Sequence, residues 1–305
     1  MQVGSPRSHT ATDARAMNSF DYHAPTSLEE AFELLQRYGE DAHLMAGGTA
    51  LVLLLQQGLV QPGHVVGLSK IADLRGIRRL EGGGLELRAL TTHRQAERST
   101  DVQAYSAALA DTFARVATVR IRNQATVGGN LAHADPAQDP PPMLIVLGGQ
   151  AVVASRDGQR RVPLDEFFVD YFETVLQPGE VLVAVELPPL APGTRVTYKK
   201  FLPRTQDDYA TVSVAAALRV DQDLLCRDIS VALGAAATTP VRARNVETAL
   251  RGERLTPAAI EDAAALVRDE VDPLDDLRGS AAYKREMARV WTKRALQELV
   301  GPATS

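Results

Sequence analysis

Apolar positions recur along this chain in two periods. Leu28, Ala31, Phe32, Leu35 and Tyr38 fall three and four residues apart, on one stripe of a helix. Ser27 stands where a cap belongs, Glu30 three residues later completes a capping box, and Gly39 ends the pattern. Residues 43–45 form a short buried strand that runs into Ala46-Gly47-Gly48-Thr49, and a helix over 50–57 follows. Strands are predicted over 64–68 and 85–89, a helix over 101–117, and a segment 119–124 leading into a second glycine-rich loop, Thr126-Val127-Gly128-Gly129-Asn130. Residues 143–147 are apolar and helical, 151–154 and 161–163 form a hairpin around Asp157-Gly158, and 180–187 alternate as a Val-rich strand.

The run Pro188-Pro189-Leu190-Ala191-Pro192-Gly193 is the best linker. Beyond it, residues 195–201, 211–220 and 224–236 are β-like, and 243–251, 257–270 and 281–300 are helical. In the last helix Tyr283, Met287, Val290 and Trp291 share a face, and Lys293 and Arg294 fall near the C-terminus, where positive charge is favoured. The pattern is α+β: a glycine-rich first part of about 190 residues, then three strands followed by three helices. Residues 1–18 are polar and mixed in charge, and are expected to be a disordered tail. The longest strongly apolar run, 51–55, is far short of the roughly 20 residues of a membrane span.

Composition narrows the chemistry. The 305 residues carry a net charge of -5 with no basic block, which argues against nucleic acid as a partner. The single cysteine, Cys226, cannot form an internal disulfide or hold an iron–sulfur cluster, and is expected to be a small core residue. No histidine has a metal-ligand partner three or four residues on, and no serine-hydrolase elbow is present.

Two glycine loops remain as candidates. Glycine pairs let the backbone approach a ligand, and successive amides form a nest for an anion such as a pyrophosphate. A pair of tight turns is the alternative. Neither loop is a Rossmann fingerprint or a P-loop. Asp139, in a proline-dense stretch, is either an acceptor for a ribose or amide, or a cap for the helix at Met143. His133 is either a ligand contact or structural. Lys199, Lys200 and Arg204 are either cations near a cofactor or a solvated strand edge.

Together with their flanks, these loops resemble the FAD-binding subunit of molybdenum hydroxylases, the family of the carbon monoxide dehydrogenase medium subunit and the xanthine dehydrogenase flavin domain. The run from Phe20 to Ala31 resembles the family's opening, and Ala46-Gly47-Gly48-Thr49 its first pyrophosphate loop. Arg120-Ile121-Arg122-Asn123-Gln124-Ala125-Thr126-Val127-Gly128-Gly129-Asn130-Leu131 is the most specific signature, continued by Ala134 to Pro142; Asp276 to Lys284 resembles the start of the last helix. Ala50 and Arg88 depart from the family's usual Asp or Ser, and Gly.

The resemblance implies a vanillyl-alcohol-oxidase-like (PCMH-type) FAD domain over 19–190, with two subdomains split near 70–80. A C-terminal domain of a three-stranded antiparallel sheet with three helices would span 195–302. It implies non-covalent FAD, held by Ala46, Gly47, Gly48, Thr49 and Ala50 and by Thr126, Val127, Gly128, Gly129 and Asn130. Asp139 would be a further contact, with Leu182 and Lys200 lining the flavin. It implies a large molybdopterin-binding partner, a small partner with 2Fe-2S clusters, and an acceptor among quinone, NAD, cytochrome and oxygen. The setting would be cytoplasmic, or peripheral at the inner face of the membrane. The competing reading is a self-contained flavin oxidase with a related fold.

Overall fold

The computed structural model describes residues 19–202, 205 and 207–301; the expected tail and Arg204 lie outside the described residues. The chain opens with β1 (Asp21–His23), α1 (Leu28–Tyr38), β2 (Ala42–Met45), α2 (Leu51–Gln56) and β3 (His64–Gly67). The three strands make a parallel sheet, ordered β1-β3-β2. Ala31 and Leu35 of α1 bury against Val66 and Leu68. Ser27 caps α1 as expected, accepting from the Glu30 amide at 3.2 Å, while the Glu30 carboxylate reaches back to the Thr26 amide at 2.7 Å.

A second sheet takes β4 (Ile77–Arg79), β5 (Leu85–Arg88), β6 (Gln150–Ser155), β7 (Gly158–Pro163) and β10 (Val181–Leu187), with a small separate hairpin of β8 (Phe168–Asp170) and β9 (Glu173–Thr174). Its antiparallel order is β4-β5-β10-β6-β7. Leu85 and Leu87 of β5 are fully buried in one core with Phe113, Leu131, Met143 and Leu144 from the helices that follow.

Those helices correct the reading of 85–130. Residues 93–117 hold α3 (His93–Arg98), α4 (Thr100–Tyr105) and α5 (Ala107–Ala114) rather than one helix over 101–117. Hydroxyl caps make the breaks: Thr92, Ser99 and Ser106 each accept from the amide three residues on, and Ser106 is extended at φ -158°. Segment 119–124 is itself helical, α6 (Val119–Gln124), and the second glycine stretch is no loop after a strand. Thr126 caps α7 (Val127–His133), whose first turn contains both glycines. Next comes α8 (Pro140–Val146), with proline at its first positions, where the missing N–H costs nothing.

The C-terminal part is a sheet of β11 (Arg195–Phe201), β12 (Val212–Val220) and β13 (Cys226–Gly234), the three antiparallel strands expected, extended by a two-residue β14 (Val241–Arg242). Cys226 is buried in its core. Three helices cover it: α9 (Arg244–Leu250), α10 (Pro257–Leu266) and α11 (Ala281–Val300). The buried stripe of α11 is Lys284, Ala288, Thr292, Ala295, Leu296 and Leu299. Of the residues read as sharing a face, Tyr283 is exposed, and Met287 and Trp291 are only partly buried. Small residues let the helix lie close to the strands, so size rather than hydrophobicity sets the face. Lys293 and Arg294 precede the last turn; Lys293 pairs with Glu261, and Arg294 stacks on Trp291 at 4.8 Å.

Candidate functional site

The first glycine stretch lies between β2 and α2, against α7, and lines a cavity of two adjoining lobes. One lobe, of about 300 Å³, is lined by His43, residues 46–50, Thr126, Gly128, Gly129, Asn130 and Leu182. The other, of about 390 Å³, is lined by Thr49, Ala50, His93, Asn130, His133, Asp139, Phe172, Lys200 and Tyr209 among others. Thr49, Ala50, Asn130, His133 and Gln138 belong to both. The expected site residues therefore line one connected space, except Val127, which is buried in the core.

The two glycine stretches do different work. At the first, Gly48 has φ +73°, which only glycine adopts readily, and the amides of Gly47, Gly48, Thr49 and Ala50 donate to no described residue. Ala50 caps α2 with no side-chain bond, so that helix start is open to a ligand. At the second, the donors are already engaged. The Val127 amide donates to Thr91 O at 2.9 Å, Gly128 to Ala89 O at 2.8 Å, and Gly129 to Thr126 Oγ1 at 3.1 Å. A bulge in β10 between Leu182 and Ala184 precedes this contact: Val183 O accepts from the Ala89 amide at 2.9 Å. Ala89 then sits so close to α7 that a Cβ on Gly128 would come within 2.5 Å of its own Cβ. Gly128 is thus a packing glycine, and a Cβ on Gly129 would come within 3.2 Å of Ala46 Cβ across the cavity wall.

Asp139 stands at the start of α8 but makes no capping bond with its side chain. It accepts from Lys200 Nζ at 2.9 Å and from the Tyr198 hydroxyl at 2.5 Å, while Lys200 also donates to Arg115 O at 3.0 Å. Burial pushes the Asp139 carboxyl up, opposed first by the Lys200 charge and then by the Tyr198 bond; burial also pushes Tyr198 well up. Lys200 is therefore a paired, buried cation, not a solvated edge lysine. Lys199 turns to the other face of β11 and pairs with Glu298. Tyr198 was not singled out by the sequence, although its two-residue spacing from Lys200 places both on one face.

A profile described as the FAD binding domain in molybdopterin dehydrogenase matches residues 18–190, and the CO dehydrogenase flavoprotein C-terminal domain matches 197–299. The chain belongs to this flavoprotein family. It is 36% identical over 277 residues to the carbon monoxide dehydrogenase medium chain of Hydrogenophaga pseudoflava, covering 91% of this chain and 96% of the relative. It is 29% identical over 284 residues to the xanthine dehydrogenase FAD-binding subunit of Escherichia coli O157:H7, covering 92% and 96%. The structure of reconstituted CO dehydrogenase from Oligotropha carboxidovorans contains a chain that aligns with TM-score 0.90 at 33% identity, over 94% of this chain and all (100%) of that one. Among the described residues no helix is long and apolar enough to cross a membrane.

The residues present fit the family's FAD. The run of uncommitted amides at 47–50 suits a pyrophosphate, and Asn130 Oδ1 and Gln138 Oε1 are buried on the cavity wall with no partner among the described residues.

His93 ties this wall to pH. It is fully buried against Phe113, with Nε2 3.2 Å from Thr126 O at the cap of α7. A carbonyl only accepts, so Nε2 carries the proton of a neutral ring. Burial lowers its pKa from 6.5 to about 4. The unfolded chain therefore binds a proton below pH 6.5 that the folded chain refuses until about 4. This contribution to stability is whole above pH 6.5 and lost as pH falls towards 4, by roughly 3 kcal/mol. Denaturant midpoints across that window should fall for the wild type and flatten for His93→Gln; parallel curves would exclude His93 as the source.

Proposed function

We propose that this chain holds FAD non-covalently in the two-lobed cavity and relays electrons. Substrate is oxidised at a molybdopterin cofactor in a large partner subunit. Electrons then pass through 2Fe-2S clusters of a small partner to this FAD and on to an external acceptor. The observation that carries the reading is the run of free amides from Gly47 to Ala50 at the open start of α2, facing Asn130 across one cavity. In this reading Ala46, Gly47, Gly48, Thr49 and Ala50 hold the pyrophosphate. Thr126, Gly128 and Gly129 form the opposite wall, Val127 anchors it, and Asn130 supplies a side-chain contact. Leu182 walls the first lobe, and the Asp139–Lys200 pair the second. FAD supplies the redox chemistry; the chain orients it and limits its exposure to water.

The complete complex should contain molybdenum, iron and flavin, while the separated chain retains about one FAD and neither metal. Acid precipitation should release the flavin into the supernatant. Flavin that stays with the pellet, or iron in stoichiometric amount in the separated chain, defeats this assignment. Substrate turnover by the separated chain would favour a self-contained oxidase.

A further inference from the structure

The carbonyls that follow α5 are gripped by two buried cations. Lys200 Nζ donates to Arg115 O at 3.0 Å, and Arg122 Nη1 donates to Val116 O at 2.9 Å and to Ala117 O at 2.8 Å. Arg122 is 8% exposed, and its Nε donates to Glu97 Oε2 at 3.0 Å, so α3 anchors the guanidinium. The stretch so held is strained: Ala117 has φ +38°, in the left-handed region that a residue with a Cβ rarely takes. The neighbouring α3 and α4 end at Ser99 and Ser106 in extended backbone, so ending a helix here does not itself require such a turn.

The strained stretch is also a wall of the second lobe. Val116, Ala117 and Ile121 line that lobe, while Arg122 and Glu97 line neither. A trans peptide sets its N–H opposite its C=O. With the carbonyls of Val116 and Ala117 drawn to Arg122, the amides of Ala117 and Thr118 turn the other way, and neither donates to a described residue. We propose that Arg122 is a positioning residue for the flavin. It holds residues 116–118 in the strained turn, so that the Ala117 and Thr118 amides stand at the second lobe as donors to the flavin ring. The inference rests on the reading above that FAD occupies both lobes. Reduction places negative charge on the ring, and a donor already fixed in place favours that form without bringing a charge of its own. The charge of Arg122 itself is spent on Glu97.

The test compares the full chain with Arg122→Lys, which keeps a charge beside Glu97 but lacks the planar fork that holds the carboxylate and both carbonyls at once. Three quantities are read: FAD affinity by quenching of flavin fluorescence, the reduction potential of the bound flavin, and the urea midpoint of the apoprotein. Arg122→Lys should bind FAD about tenfold more weakly. Its flavin potential should fall, because the reduced ring loses more than the oxidised one. Arg120→Lys, exposed on the same helix, should match the wild type in all three. A lowered urea midpoint with wild-type affinity and potential overturns the proposal and leaves Arg122 a clamp on the end of α5. Weaker binding with an unchanged potential overturns it as well, since the wall is then loosened without loss of a donor to the ring. If Arg122→Lys does not fold, Glu97→Gln, which leaves the guanidinium but loosens its anchor, decides by the same affinity and potential. A wild-type chain that binds no FAD would instead defeat the reading on which the proposal rests.

Discussion

Replacing Lys200 by Met should cost about 3–5 kcal/mol of unfolding free energy, the range for removing one partner of a buried ion pair. The Lys200 side chain is 2% exposed, and its ammonium faces Asp139 Oδ2 and Arg115 O. Methionine fills the space but leaves a buried carboxylate with only the Tyr198 hydroxyl, and leaves the Arg115 carbonyl without its donor. Adding Asp139→Asn should recover most of the loss, because a neutral side chain there needs neither the Lys200 charge nor a proton taken up in its place. Lys199→Met, which breaks a half-exposed pair with Glu298, should cost no more than about 1 kcal/mol. Urea midpoints of the three variants decide. Equal losses at 199 and 200 would mean that the buried pair is not the stronger element.

The pairing also changes what Lys200 does for a bound flavin. A lone ammonium about 5 Å from the ring would favour its reduced form by roughly 3 kcal/mol at an effective dielectric of about 20. Beside Asp139 the pair is nearly neutral, and that field is largely cancelled. In Lys200→Met the isolated Asp139 should take up a proton, leaving the local charge again near zero. The flavin potential should then move far less than the stability does.

The elements with a strong period or a sharp turn were legible in the sequence: α1 with its cap, the β6–β7 hairpin, the three long C-terminal strands and the span of α11. Stretches governed by short-range capping were not. Thr92, Ser99, Ser106 and Thr126 each start a helix of six to eight residues, too short to show an apolar stripe. The site residues expected from the sequence, Val127 excepted, line the cavity, but what each does there was not legible. Gly128 looks like Gly48 in sequence, yet only the fold shows that Ala89 claims both its space and its amide. Lys200 looked like a free cation because its partner, Asp139, is 61 residues away in sequence. Alternation along β11 separates Lys199 from Lys200, and a stricter use of that period would have told them apart.

Gly47→Ala should weaken FAD binding roughly ten- to hundred-fold and do more harm than a change at Gly129. A Cβ at Gly47 would lie 1.9 Å from Gln124 O and 2.8 Å from its carbonyl carbon. Both are backbone atoms at the end of α6, so neither can rotate away. The loop must move instead, and it carries the free amides of Gly48, Thr49 and Ala50 with it. Forcing a methyl into a packed site costs about 1–3 kcal/mol, and each 1.4 kcal/mol withdrawn from binding is tenfold in affinity. At Gly129 the nearest atoms are Thr126 Oγ1 at 2.9 Å and Ala46 Cβ at 3.2 Å, both side-chain atoms. The threonine can turn, at the expense of one cap, so Gly129→Ala should bind FAD more weakly than wild type but better than Gly47→Ala. Gly128→Ala meets the Cβ and backbone of Ala89 and should fall between them. Titration of apoprotein with FAD, followed by quenching of flavin fluorescence, gives the order. Tightest binding by Gly47→Ala among the three would show that the amides of residues 47–50 are not what holds the pyrophosphate.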